Sequence, residues 1–159
     1  MKCLIIAAGE GSRLSNRGGS KPLVPLLELP LIERVILNAK GAGITDFYIV
    51  TGYNGEKLRN HLNQFARRRD LKVTHLINKQ WKKENGLSVL AAKKGINENF
   101  ILLMGDHIFD ESILEKLKNE KIADDEVLLA VDYRIKKNRL INADNILLKK
   151  QLQRHPLPR

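Results

Sequence analysis

The sequence predicts an α/β domain, with a mostly parallel sheet carrying helices on both faces. Three observations point there. Apolar runs of strand length alternate with stretches whose apolar residues recur at helical spacing. The first run opens directly into a polar, glycine-rich loop. Unusual residues gather just after Ala8, Ile77 and Met104. Ligands bind such sheets at these places, outside the carboxyl ends of the strands.

Lys2 to Ala8 reads as a buried strand ending at Gly9, and Gly9 to Lys21 as the loop. Leu31, Ile32, Val35, Ile36 and Ala39 give a helix over Pro30 to Ala42, with Gly43 as its stop. Asp46 to Thr51 is a second strand, and Gly55 to Phe65 a second helix with Leu58, Leu62 and Phe65 on one face. Leu71 to Ile77 is the third strand, followed by a polar loop from Asn78 to Asn85. Leu87 to Lys94 is helical, Phe100 to Met104 the fourth strand, Ser112 to Lys118 a helix and Val127 to Val131 a fifth strand. From Tyr133 the pattern loosens. Gln151 to Arg159 shows no period and is expected to be disordered or loosely docked. The division expected is a core over residues 1–141 and an atypical basic tail over 142–159.

With 159 residues, 43% of them apolar, the chain is about one domain long and can bury a real core. No apolar stretch is long enough to span a bilayer, and the N-terminus has no signal-peptide pattern. The single Cys3 lies in the first strand, forms no internal disulfide and suits a reducing cytoplasm. The net charge of +10 favours anionic partners. Its lysines and arginines are spread along most of the chain, Arg67-Arg68-Arg69 being the only run of three. Aromatics make up only 5% of the sequence, so nucleic acid is not the expected partner, because single-stranded binding uses aromatics for stacking.

The loop after the first strand reads Ala7-Ala8-Gly9-Glu10-Gly11-Ser12-Arg13-Leu14, and Lys21-Pro22-Leu23 closes it. Glycines directly after a strand let backbone N–H groups approach a phosphate, and Arg13 and Lys21 flank that cradle with positive charge. The dinucleotide fingerprint fails, since Leu14 stands where a third small residue belongs. A Walker A loop fails too, because Lys21 lacks the glycine spacing and a following Ser or Thr. The second candidate is Met104-Gly105-Asp106-His107, where a carboxylate at a strand end suits Mg²⁺ or, alternatively, caps a helix. His107 either contacts an acceptor phosphate or is structural. The third is Glu84-Asn85-Gly86-Leu87-Ser88, whose Asn85 and Ser88 are either ligand contacts or ordinary helix-start residues. Asn78 and Trp81 are further loop candidates; Trp81, the only tryptophan, is otherwise a packing or surface residue.

The string strand–AAGEGSRL–KPL resembles the signature of the sugar-phosphate and alcohol-phosphate nucleotidyltransferases over roughly Met1 to Tyr133. The resemblance implies a Rossmann-like sheet of the GT-A type. It also implies that Ala7, Ala8, Gly9, Gly11, Ser12 and Arg13 hold an NTP, with Lys21 bridging the reacting phosphates. Gly105 would join the nucleotide site, and Asp106 would be the Mg²⁺ ligand. Arg13, Lys21 and Asp106 would then be catalytic, while Asn85, Gly86 and Ser88 would lie against base and ribose. Together with NGLSVLAAK and MGDHIFD, the pattern is most similar to CTP:inositol-1-phosphate cytidylyltransferases. Such domains are often fused to a membrane CDP-alcohol phosphotransferase, which has no counterpart here.

The expected reaction therefore transfers CMP from CTP to a small phosphorylated alcohol, inositol 1-phosphate first. Alternatives are a phosphocholine cytidylyltransferase, a sugar-phosphate uridylyl- or thymidylyltransferase, and a non-catalytic nucleotide- or nucleic-acid-binding module. Family domains normally continue further, with a second metal-binding Asp. The core is accordingly expected to be C-terminally incomplete and to bind CTP–Mg²⁺ better than it turns it over. Homo-oligomerisation is left open by the sequence.

Overall fold

The structure is a computed structural model that describes residues 1–11, 20–123 and 126–131, and the backbone of 151–156. The chain forms two compact units, Met1–Ile108 and Phe109–Arg159.

The first unit is built on four parallel strands in the order β5-β4-β1-β6. They are β1 (Lys2–Ala7), β4 (Asp46–Thr51), β5 (Lys72–Ile77) and β6 (Phe100–Met104). β1 lies inside the sheet, with Leu4 opposite Tyr48 on one side and Leu102 on the other. Cys3 to Ala8 are all buried, which explains an unbroken apolar run where a half-exposed strand would alternate.

Successive strand residues point to opposite faces. One face receives α1 (Leu31–Gly41) and α2 (Gly55–Arg69). These helices bury the residues their spacing predicts: Ile32, Val35, Ile36 and Ala39 from α1, and Leu58, Leu62 and Phe65 from α2. Polar ties supplement that packing. Arg59 Nη1 donates to Thr51 Oγ1 at 2.9 Å, and His75 Nε2 lies 2.8 Å from Asn63 Oδ1. Between the helices, Glu33 is 6% exposed and its Oε1 lies 2.6 Å from His61 Nε2. The other face carries Leu4, Ala8, Tyr48 and Val50, covered by Ala92 and Ile96 from the turns after α3 (Gly86–Leu90). Helical structure here stops well short of the expected Lys94. The carbonyls of Val89, Leu90 and Ala92 instead accept from the amides three residues on.

A small antiparallel hairpin, β2 (Pro25–Leu26) and β3 (Leu29–Pro30), leads into α1. Its tip residues Leu27 and Glu28 both have left-handed φ, 46° and 67°, which two-residue hairpin turns of the primed type require. Arg34 holds the turn, its Nε donating to the Leu26 carbonyl at 2.9 Å and its Nη2 to that of Leu27 at 3.0 Å.

In the second unit α4 (Glu111–Asn119) packs against β7 (Glu126–Val131), which pairs antiparallel with β8 (Gln151–Pro156). The expectation of an irregular tail is corrected at β8, where Val131 stands opposite Gln151 and Glu126 opposite Pro156. The rest of the expected tail, 142–150 and 157–159, lies outside the described residues. Among the described residues no helix is long and apolar enough to cross a membrane.

Candidate functional site

The parallel sheet brings the ends of β1, β4, β5 and β6 to one rim, and the candidate residues follow from that topology. Beyond β1, Ala8 is buried, whereas Gly9 is exposed and nothing lies within 4 Å of where its Cβ would stand. Gly11 has φ +65°, and a Cβ there would fall 2.5 Å from Lys21 Cβ. The lysine stem therefore runs across the glycine backbone, and only glycine fits beneath it. Ser12 and Arg13 lie outside the described residues.

Lys21 opens a 3-10 turn, Lys21–Leu23, anchored by buried Pro22 and by the Leu23 amide donating to the Ser20 carbonyl at 2.8 Å. Proline at the second position fixes the turn and leaves Lys21 at its mouth. The Lys21 ammonium reaches the carboxylate of Asp106 and forms an ion pair with its Oδ2.

Asp106 is delivered by β6. Gly105 is buried against Ile32 and Ala7, and its amide donates to the Ile6 carbonyl at 2.9 Å, holding the strand end beside β1. The chain then turns through His107, whose amide donates to the Met104 carbonyl at 3.3 Å. The alternative of Asp106 as a helix cap is set aside, because α4 is capped by Asp110, whose Oδ1 accepts from the Ser112 amide at 3.0 Å. The Ser112 hydroxyl first, and then that amide, hold the Asp110 carboxyl below its ordinary pKa. His107 Nε2 lies 3.9 Å from Asp106 Oδ1, beyond hydrogen-bond reach.

At the β5 end the residues divide. Asn85 and Gly86 are exposed, and nothing lies within 4 Å of a Gly86 Cβ position. Ser88 is 2% exposed and turned inward, where its Oγ accepts from Asn78 Nδ2 at 3.0 Å. Asn78 is itself buried, its Oδ1 accepting from the Gln80 amide at 2.8 Å and its amide donating to the Thr51 carbonyl at 2.9 Å. Both amide and hydroxyl are thus committed within the protein, which ties the start of the loop to the first turn of α3. Sequence spacing marked Asn78 and Ser88 separately; their pairing was not legible, because they lie ten positions apart across an irregular loop.

A lysine facing an aspartate across a glycine-rich strand end can accept a polyphosphate. An entering anion takes over the lysine, and the freed carboxylate becomes available to a hard cation. Mg²⁺ binds one or two carboxylates together with substrate phosphates. The carboxylate of Asp106 fits that donor set, and among the described residues no group of three or more His, Cys, Asp or Glu forms a self-contained metal cage.

Comparison with known proteins agrees with this architecture. The family model for the MobA-like NTP transferase domain matches residues 3–153. A bifunctional IPC transferase and DIPP synthase of Rubrobacter xylanophilus is 33% identical over 114 residues, 71% of this chain and 25% of that protein. A bifunctional protein GlmU of Methanococcus maripaludis is 30% identical over 122 residues, 76% of this chain and 28% of that protein. The chain thus spans about a quarter of the length of these relatives. The solved inositol-1-phosphate CTP transferase from T. maritima superposes with a TM-score of 0.69 at 19% identity, over 80% of this chain and 51% of that one. That likeness shows the fold to be the Rossmann-like GT-A type of the nucleotidyltransferases. By the match across most of its length, the chain belongs to the MobA-like NTP transferase domain family.

Proposed function

We propose that this domain transfers CMP from CTP to a small phosphorylated alcohol, with inositol 1-phosphate the first acceptor to test, and releases pyrophosphate. The observation that carries the reading is the Lys21–Asp106 ion pair beside the Gly9–Gly11 strand end, on a nucleotidyltransferase fold. The IPC transferase named above and the CTP transferase of the same fold support cytidine and inositol phosphate over other bases and acceptors.

In the proposed reaction an acceptor phosphate oxygen attacks the α-phosphorus of CTP in line. A new P–O bond forms, the bond between the α-phosphorus and the bridging oxygen breaks, and pyrophosphate leaves with that electron pair. The nucleophile needs no general base, because a phosphate monoester is already ionised near neutrality. The chain's own contribution is positioning and charge neutralisation. Lys21 would leave Asp106 for the triphosphate, and the glycine backbone would line its path. Asp106 would hold Mg²⁺, which supplies further charge neutralisation on the phosphates when bound. Arg13 is proposed as a second cation on the phosphates, and the exposed Asn85–Gly86 segment as the surface that meets base and ribose, with Ser88 supporting it from within. A cytoplasmic location is part of this reading, supported by the lone buried thiol of Cys3.

The test is calorimetry of CTP, UTP, dTTP and ATP with Mg²⁺, on the unaltered chain and on Lys21→Ala. CTP-selective binding lost in the variant supports the proposal, and pyrophosphate release on adding inositol 1-phosphate then identifies the acceptor. Selective binding of UTP or dTTP redirects it to a sugar-phosphate transferase. No binding of any nucleotide overturns it.

A further inference from the structure

We propose that Trp81 is a positioning residue for base discrimination, setting from its seat on Gly52 how far the loop Asn78–Asn85 stands from the end of β1. The inference rests on the nucleotidyltransferase reading and names the part of the site that separates one nucleotide from another.

Three strand ends are stacked at this point. A Cβ at Gly52 would lie 2.5 Å from Trp81 Cβ and 3.0 Å from Trp81 Cγ on one side, and 2.6 Å from the Ala8 carbonyl oxygen on the other. No side chain fits between the loop after β5 and the loop after β1, so the glycine backbone is the spacer. The next residue completes the join: the Tyr53 amide donates to the same Ala8 carbonyl at 3.0 Å. The Tyr53 ring meets the Trp81 ring with centroids 5.0 Å apart and planes tilted by 58°, within the range of favourable aromatic pairs. Trp81 also packs against the core cluster that contains Ala8, Tyr48 and Val50.

The loop that Trp81 fixes is otherwise lightly held. Lys79, Gln80 and Lys82 to Gly86 are exposed, and the polar anchors Asn78 and Ser88 sit at its two ends. Within Asn78–Asn85 Trp81 is the one apolar residue, and it packs on the core cluster. Rigid aromatic anchors fix loop position at small entropic cost, having only two side-chain torsions. Moving the anchor therefore shifts Asn85 and Gly86 relative to Ala8 and Gly9. The Gly11–Lys21 contact and the Lys21–Asp106 ion pair are made by other residues. Base contacts and phosphate contacts become separable.

The experiment measures Kd for CTP, UTP and pyrophosphate with Mg²⁺ on the unaltered chain, Trp81→Phe, Trp81→Ala and Gly52→Ala, with thermal melting to confirm folding. Trp81→Ala is expected to weaken the preferred nucleotide about three- to tenfold, the scale of one or two misplaced neutral hydrogen bonds. The ratio between preferred and poorer nucleotide falls towards one, while pyrophosphate affinity is unchanged. Trp81→Phe restores part of the ratio. Gly52→Ala, which pushes the loop outward with Trp81 in place, loses it again and carries the test with Trp81→Phe if Trp81→Ala fails to fold. Equal weakening of all three ligands, or an unchanged ratio in the folded variants, overturns the inference and leaves Trp81 as packing. Failure of the unaltered chain to bind any nucleotide overturns the functional reading itself, a result that precedes any variant.

Discussion

The two halves of the rim are built from opposite materials. At the ends of β1 and β6 the parts are glycines and a salt bridge, with Lys21 and Asp106 partly open to solvent at 37% and 19% side-chain exposure. At the ends of β4 and β5 the parts are neutral and closed: Asn78 bonded to Ser88, Trp81 seated on Gly52, and Thr51 fully buried. The charged half is held by a contact that a ligand can replace. The neutral half is held by contacts that nothing entering from solvent substitutes for. One half is built to exchange partners, the other to stay where folding put it.

The largest expected effect probes the charged half. Lys21→Ala should weaken CTP and pyrophosphate alike by about tenfold to a hundredfold, the scale of a lost hydrogen bond to a charged group, about 1.5–3 kcal/mol. Its melting temperature should move little, since an ion pair that water reaches contributes little to stability. Calorimetry and melting together check both statements, and a large loss of stability would erase the contrast. Ser88→Ala is the mirror experiment. It leaves the buried Asn78 amide without its acceptor, at a cost of about 1–3 kcal/mol in denaturant unfolding. Pyrophosphate affinity in the folded fraction should be unchanged; parallel losses in both would show that the halves are one unit.

A smaller effect sharpens the comparison through β5, the strand that feeds the neutral half. His75 Nδ1 is buried without a hydrogen-bond partner, and burial first, then the charge of Arg59, lowers the imidazole pKa from 6.5. The folded protein therefore prefers the neutral ring, while the unfolded chain takes up its proton near 6.5. Stability from this group is present above that pH and is lost as the pH falls from there through the lowered folded value. Melting temperatures between pH 8 and 5 should decline less in His75→Gln than in the unaltered chain. An identical decline would mean the acid sensitivity lies elsewhere. Smallest of all, raising salt should weaken nucleotide binding yet leave the effect of Trp81→Ala on base preference intact, because screening acts on charges alone.

How much of this was legible in the sequence follows the same division. Asp46–Thr51 falls where its apolar run places it, since burial on both faces writes itself as continuous hydrophobicity. Phe100–Met104 does so as well, although it is an edge strand whose Phe100 and Leu102 are exposed. The glycine loop, Lys21 and Asp106 were readable as residue types at strand ends, and topology then brought Lys21 and Asp106 into contact. α2 runs on to Arg69 where the apolar pattern ends at Phe65, because Arg67 to Arg69 are solvated and complement the negative end of the helix dipole. The β2–β3 hairpin was invisible, for Leu27 and Glu28 are not the residues a left-handed turn selects, and the carbonyl bonds from Arg34 lie seven and eight residues away. The burial of Glu33 was not legible either, because its partner His61 lies on another helix, 28 positions away. β8 pairs with β7 through backbone bonds, which carry no side-chain signature.

The central place of β1 has a consequence for how the chain is made. It is synthesised before both its partners, β4, whose last paired residue is Thr51, and β6, whose last is Met104. Throughout that interval the growing chain carries an apolar strand with at least one edge unpaired. Pairings so distant in sequence form slowly, and bare strand edges invite other chains. The strand that leads into the glycine loop is thus made before the strands that flank it and enclosed only after the later of them has emerged.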